Sequence, residues 1–81
     1  MTIKVLFFAS CRDLVGASEQ DVALPEGATV QNLISEIVSE HSRFIAMAPS
    51  LMVSVNQEYQ KRETVLHNGD EVAFIPPVSG G

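Results

Sequence analysis

A chain of 81 residues has room for one small domain, which excludes a two-domain enzyme with a cleft between its halves. Hydrophobic residues at 46% and charged residues at 19% are globular proportions and argue against intrinsic disorder. The formal charge of -5, with only five scattered Lys and Arg, disfavours nucleic acid and suits a basic protein partner, because phosphate recognition needs clustered cations.

Residues 3 to 9, Ile-Lys-Val-Leu-Phe-Phe-Ala, are rich in β formers and predict a first strand. With Lys4 facing water, the period of two sends Ile3, Val5 and Phe7 inward and leaves Leu6 and Phe8 on the outer face. Residues 11 to 18, with Gly16 and several polar side chains, are expected as a loop. Asp21 to Leu24 form a second strand that stops at Pro25, and the two strands make a hairpin.

Pro25-Glu26-Gly27 marks a turn, after which Thr29 offers a hydroxyl N-cap. Val30, Leu33, Ile34, Ile37 and Val38 follow at i, i+3, i+4, i+7 and i+8, a helical stripe that belongs to the core. Glu36 and Glu40 lie opposite, and His41 and Ser42 end the helix. Arg43 to Ala48 predict a short helical turn stopped by Pro49.

Leu51 to Val55 alternate as a strand with Leu51, Val53 and Val55 on one face, and Asn56-Gln57-Glu58 supplies a polar turn. Tyr59 to Arg62 return as a short strand. His67-Asn68-Gly69-Asp70 is a turn signal, and Glu71 to Ile75 form the last strand, with Val72 and Phe74 inward and Ala73 and Ile75 outward. One helix with several strands packs most economically as a two-layer α+β domain, a mixed sheet curled over the helix, for which a β-grasp is the natural candidate at this length.

The division expected is a domain over 1–75 and an extended, flexible tail over 76–81, Pro-Pro-Val-Ser-Gly-Gly. Two prolines remove two backbone donors and prevent the strand from continuing. Extended, six residues reach at most about 20 Å, enough to enter a deep cleft on another protein. Gly80 and Gly81 remove every Cβ at the tip and permit close approach to the final carboxylate, which makes the Gly81 α-carboxylate the candidate reactive group.

The strand Ile3 to Ala9, the segment Arg12-Asp-Leu-Val-Gly16, the pair Val55-Asn56 and above all the ending Gly69 to Gly81 resemble the small subunits of molybdopterin synthase over essentially the whole chain. The resemblance implies a ubiquitin-like β-grasp and a sulfur carrier. It implies that Gly81 is adenylated by a ubiquitin-activating-type adenylyltransferase using ATP, then loaded as a thiocarboxylate, a 1-thioglycine at Gly81. It further implies insertion of the tail, Pro76, Pro77, Val78 and Ser79 with Gly80 giving access, into the large catalytic subunit of the synthase. There sulfur passes to cyclic pyranopterin monophosphate to build the dithiolene, in a heterotetramer of two small and two large subunits.

The chain itself carries no Gly-rich phosphate loop, Ser/His/Asp set or metal-ligand spacing, so no cofactor of its own is expected and the catalytic groups come from elsewhere. His41 and His67 suit surface or capping roles better than a metal site. Cys11, expected in the loop or half-buried, has only Arg12 to lower its pKa. As the sole cysteine it forms no internal disulfide, and with neither a signal-like start nor an 18-residue apolar run it predicts a cytosolic protein without a membrane span.

Phe8 and Ile75 fall on the outer faces of strands that lie side by side in a β-grasp, so with Tyr59 they make a candidate docking patch at the base of the tail, which Glu58, Asp70 and Glu71 would steer toward a basic surface. The resemblance implies that this patch meets both the activating enzyme and the large subunit. Two other functions use the same features: a ubiquitin-like modifier or a carrier for thiamine or tRNA thiolation, and an interaction module with an inert tail.

Overall fold

The computed structural model describes residues 1–77. Its strands β1 (Thr2–Phe7), β2 (Glu19–Ala23), β3 (Met52–Val55), β4 (Glu58–Tyr59) and β5 (Glu71–Ile75) form one mixed sheet in the order β2-β1-β5-β3-β4. The first and last strands are central neighbours and run parallel, with Val5 opposite Val72 and Phe7 opposite Phe74. The other pairings are antiparallel.

Period-two alternation decides which face is filled. Ile3, Val5, Phe7, Val22, Val53, Val55, Val72 and Phe74 are all buried and join the stripe of α2 (Val30–Glu40) in one core. The expected stripe holds, with Val30, Leu33, Ile34 and Ile37 buried and Val38 packed at the margin. Thr29 caps the helix as anticipated: its Oγ1 accepts from Asn32 N–H at 3.2 Å, while Asn32 Oδ1 accepts from Thr29 N–H at 2.9 Å. Two further first-turn donors, Val30 and Gln31 N–H, reach the carbonyls of Thr64 and Arg62, both at 3.0 Å.

Several expected boundaries shift. Residues 11–18 are not simply a loop, because Ala9–Val15 form a helix, α1, ended by Gly16 at φ 84 with its N–H on the Arg12 carbonyl at 2.8 Å. The reason is tertiary: Cys11 is buried and Leu14 and Val15 pack against the core, a short i, i+3, i+4 stripe on a polar segment. Strands β1 and β2 pair antiparallel as expected, but α1 joins them in place of the expected loop, β1 ends at Phe7 instead of Ala9, and β2 runs Glu19–Ala23 instead of Asp21 to Leu24. The turn expected over Arg43–Ala48 is a 3-10 turn at Ser42–Ala46, followed by a second at Ala48–Ser50 that includes Pro49. The expected strand over 59–62 is confined to Glu58–Tyr59. Gln60 N–H still donates to Val53 O at 3.0 Å, and the chain then leaves the sheet to supply the carbonyls that cap α2. The Arg62 guanidinium fills the gap left at that edge, donating to Ala48 O at 2.8 Å and Leu51 O at 3.2 Å.

Phe44 is fully buried and ties the 3-10 turn to the central strands. Its ring lies 6.2 Å from Phe7 and 5.7 Å from Phe74, edge-on to both, and Phe7 and Phe74 are 6.1 Å apart. Among the described residues no helix is long and apolar enough to cross a membrane. Phe44→Ala is expected to cost about 3–5 kcal/mol in urea unfolding, whereas Ile45→Ala next to it, on a side chain 63% exposed, stays within about 0.5 kcal/mol of wild type.

Candidate functional site

The inward alternation that fills the core leaves its complement on the other face of the sheet. Phe7 and Phe74 point in on one rung, so Phe8 and Ile75 on the next point out, and Met52 stands opposite Ile75 on β3. This gives a row of Phe8 just past the end of β1, Ile75 on β5 and Met52 on β3, with Phe8 and Met52 each 47% exposed and Ile75 half-buried. The neighbouring row runs Leu6, Ala73, Ser54, Tyr59, and ends in a Tyr59 ring that is 66% exposed. Ile75 and Tyr59 of the expected trio stand one row apart on the outer face, and Phe8, expected inside the first strand, instead follows the end of β1, exposed and with its N–H on Phe74 O at 3.3 Å.

Met52 was not singled out from sequence, although the alternation of Leu51, Val53 and Val55 inward requires it to face outward. With Tyr59 it also borders a shallow groove of about 380 Å³ lined by Leu51, Val53 and residues 60–63. Contiguous exposed apolar side chains on a small acidic domain make this face the candidate docking surface.

Charge lies to one side of these rows. Lys4 and Glu71 are partners across β1 and β5, and Lys4 Nζ is 3.5 Å from Glu19, an exposed pair of little energetic weight. Of the acidic residues expected to steer a partner, Asp70 has a local task. Its carboxylate accepts from Asn56 Nδ2 at 2.9 Å and from His67 N–H at 2.8 Å, which closes the turn before β5. Asn56 and Gln57 hold φ of 52 and 71 in the β3–β4 turn, and Asn56 Oδ1 accepts from Glu71 N–H at 3.0 Å. These bonds brace β5 at the end opposite the tail.

At the tail end, β5 stops at Ile75, Pro76 is half-buried and Pro77 exposed. Val78, Ser79, Gly80 and Gly81, expected to enter a partner and carry the chemistry, lie outside the described residues. Cys11 is fully buried within α1, where desolvation pushes its thiol above the ordinary value. His41 ends α2, donating its N–H to Ile37 O at 2.8 Å, and His67 stands exposed in the turn before β5. The described residues contain no group of three His, Cys, Asp or Glu arranged to hold a metal ion.

A five-stranded mixed sheet curled over one main helix, its first and last strands parallel neighbours, defines a ubiquitin-like β-grasp domain, and comparison with known proteins narrows it. The ThiS family profile matches residues 5–81. The molybdopterin synthase sulfur carrier subunit of Chlamydomonas reinhardtii is 40% identical, with 100% of each chain aligned. That of Escherichia coli K12 is 42% identical over 98% of this chain and 99% of its own. A Pyrococcus furiosus structure assigned as molybdopterin converting factor subunit 1 superposes with a TM-score of 0.88 at 35% identity, covering 96% of this chain and 99% of that one. The chain belongs to the ThiS family, and within it to the sulfur carrier subunits of molybdopterin synthase.

The buried thiol yields a prediction. A disulfide reagent at neutral pH is expected to label Cys11 at least about 100-fold more slowly in the native protein than in urea, since reaction must await opening. The folded-state pKa is raised, so stability from this group is complete below the unfolded thiol value and declines as pH rises from there through the folded value. Urea midpoints of wild type should therefore fall more steeply above about pH 8.5 than those of Cys11→Ala.

Proposed function

We propose that this protein carries sulfur as a thiocarboxylate on Gly81 and delivers it within a molybdopterin synthase. What supports the reading is the outer-face row Phe8, Ile75, Met52, which brings an apolar docking surface to the point where β5 gives way to Pro76 and Pro77. The chemistry follows from the end group. A carboxylate is a poor electrophile, so the Gly81 carboxylate attacks the α-phosphorus of ATP on an activating enzyme, releasing pyrophosphate and leaving a mixed anhydride with AMP. A sulfur nucleophile then displaces AMP, and the terminal carbon now bears sulfur that a second protein can use.

Phe8, Tyr59 and Ile75 dock the domain on the adenylyltransferase and on the large catalytic subunit in turn. The segment Pro76, Pro77, Val78 and Ser79 spans the entrance of the large subunit's site, and Gly80 lets the tip approach the reacting atoms. Cyclic pyranopterin monophosphate is the acceptor, two loaded carriers supply the two sulfurs of the dithiolene, and the assembly is a heterotetramer of two small and two large subunits. The domain over 1–75 holds no reacting group and is a handle for the tail over 76–81. The single buried, unpaired Cys11 accords with a cytosolic setting.

Incubation with an adenylating enzyme, ATP and a sulfur donor should raise the intact mass by one sulfur in place of one oxygen, with no change in a protein lacking Gly81. An unchanged mass under conditions that load a known carrier overturns the thiocarboxylate reading, and isopeptide adducts on lysines point to a protein modifier instead. Phe8→Ala is expected to weaken binding to the large subunit about tenfold or more by titration calorimetry, with the unfolding midpoint little changed because the side chain is 47% exposed.

A further inference from the structure

The two edges of the sheet are finished differently. At one edge β4 has only two residues, and the chain leaves it to cap α2. At the other, β2 runs for five residues and pairs with β1 alone. In an antiparallel ladder, residues that exchange both bonds with the partner strand alternate with residues whose N–H and C=O point away from it. Phe7 N–H donates to Ser18 O at 2.9 Å, Leu24 N–H donates to Met1 O at 2.9 Å and the Met1 amino group donates to Leu24 O at 2.8 Å, so Phe7 with Ser18 and Met1 with Leu24 are exchanging pairs. The register then makes Val5 with Gln20 and Ile3 with Val22 exchanging pairs as well.

The residues in between point the other way. On β1, Lys4 turns its N–H from β2 to Asp70 O at 3.0 Å on the far side. On β2, the residues opposite Thr2, Lys4 and Leu6 are Ala23, Asp21 and Glu19, and these turn their N–H and C=O groups out of the sheet. All three residues are exposed, and none of these outward backbone groups has a partner among the described residues.

Charge decides what fits there. The Glu19 and Asp21 side chains stand on the outer face, in the rows of Leu6 and Lys4. From the core side, Gln20 Nε2 donates to Glu40 Oε2 at 2.6 Å, which brings the last carboxylate of α2 to the same strand. Lys4 Nζ is 3.5 Å from Glu19, while Asp21 and Glu40 have no cation within 4.0 Å among the described residues. A second copy pairing edge to edge would set Glu19 and Asp21 against the same carboxylates, an arrangement that like charges oppose.

We propose that the open edge of β2 is a docking site for an extended segment of another protein with Lys or Arg at alternate positions, added to the five strands as one more. Its backbone bonds the outward groups of Glu19, Asp21 and Ala23, its cations meet Glu19 and Asp21 on the outer side, and its intervening side chains are apolar and lie beside Val22. The site uses no residue of the row Phe8, Ile75 and Met52, and it holds whether or not the chain carries sulfur.

The probe is the peptide acetyl-Lys-Val-Lys-Val-Lys-Val-Lys-amide, added in excess to the full chain at low salt, with the Glu-Val counterpart as control. Amide exchange read by NMR should be fast at Glu19, Asp21 and Ala23 in the free protein and slow at Gln20 and Val22, which bond to β1. The Lys-Val peptide should slow the first three about tenfold or more and leave the other two unchanged. Asp21→Lys should raise its Kd about tenfold, and so should Ala23→Pro, which deletes one outward donor at an edge position where proline is tolerated. Absence of binding, equal binding of the Glu-Val peptide, or binding without protection of the three amides overturns the proposal. So does an unchanged Kd in Asp21→Lys, whose exposed side chain makes that result readable even where Ala23→Pro fails to fold.

Discussion

The parallel pairing of the first strand with the last organises the molecule. Because β1 and β5 are neighbours at the centre of the sheet, the same rung that sends Phe7 and Phe74 into the core with Phe44 is followed by one that sends Phe8 and Ile75 out. Core and outer row are two sides of one register, and a slip of a single residue would exchange them. Fully buried aromatics on the inner side make such a slip costly, so the outer row inherits its position from the packing beneath it.

The remaining elements complete this pair. Helix α2 covers the inner face with one stripe, and its N-terminal donors are satisfied by Asn32 and Thr29 and by the carbonyls of Arg62 and Thr64. The segment that leaves β4 is thereby held to the helix, and its Arg62 side chain closes carbonyls at the β3 edge that no strand reaches. The Asn56, Asp70 and His67 bonds fix the opposite end of β5, leaving the tail end as the side on which the sheet runs out.

Much of this was legible in the sequence, for local reasons. The alternation in Ile3 to Phe7 and in Glu71 to Ile75, the Thr29 cap and the stripe from Val30 to Val38 each report a burial pattern that local chemistry enforces, and the β-grasp followed from their order. Helix α1 was not legible because its apolar stripe is only Cys11, Leu14 and Val15, too short to form a helix without the core it packs on. The buried place of Phe44 depends on contacts with Phe7 and Phe74, more than thirty and thirty residues away respectively in the chain, that no local window contains. The outward direction of Ile75 was legible from the period of two in the last strand, while Met52 escaped notice between the inward Leu51 and Val53.

The central place of β5 also bears on how the protein is made. A sheet in which the last strand separates β1 from β3 cannot close while the chain is still being synthesised, since its long-range pairings await residues near the C-terminus. A product terminated before Ile75 lacks the strand that joins the two halves, and its apolar surfaces mark it for degradation. A chain able to fold is therefore one whose synthesis has run at least through β5. Folding thus acts as a check on length as far as β5, and copies that stop short of it are withheld from the folded pool.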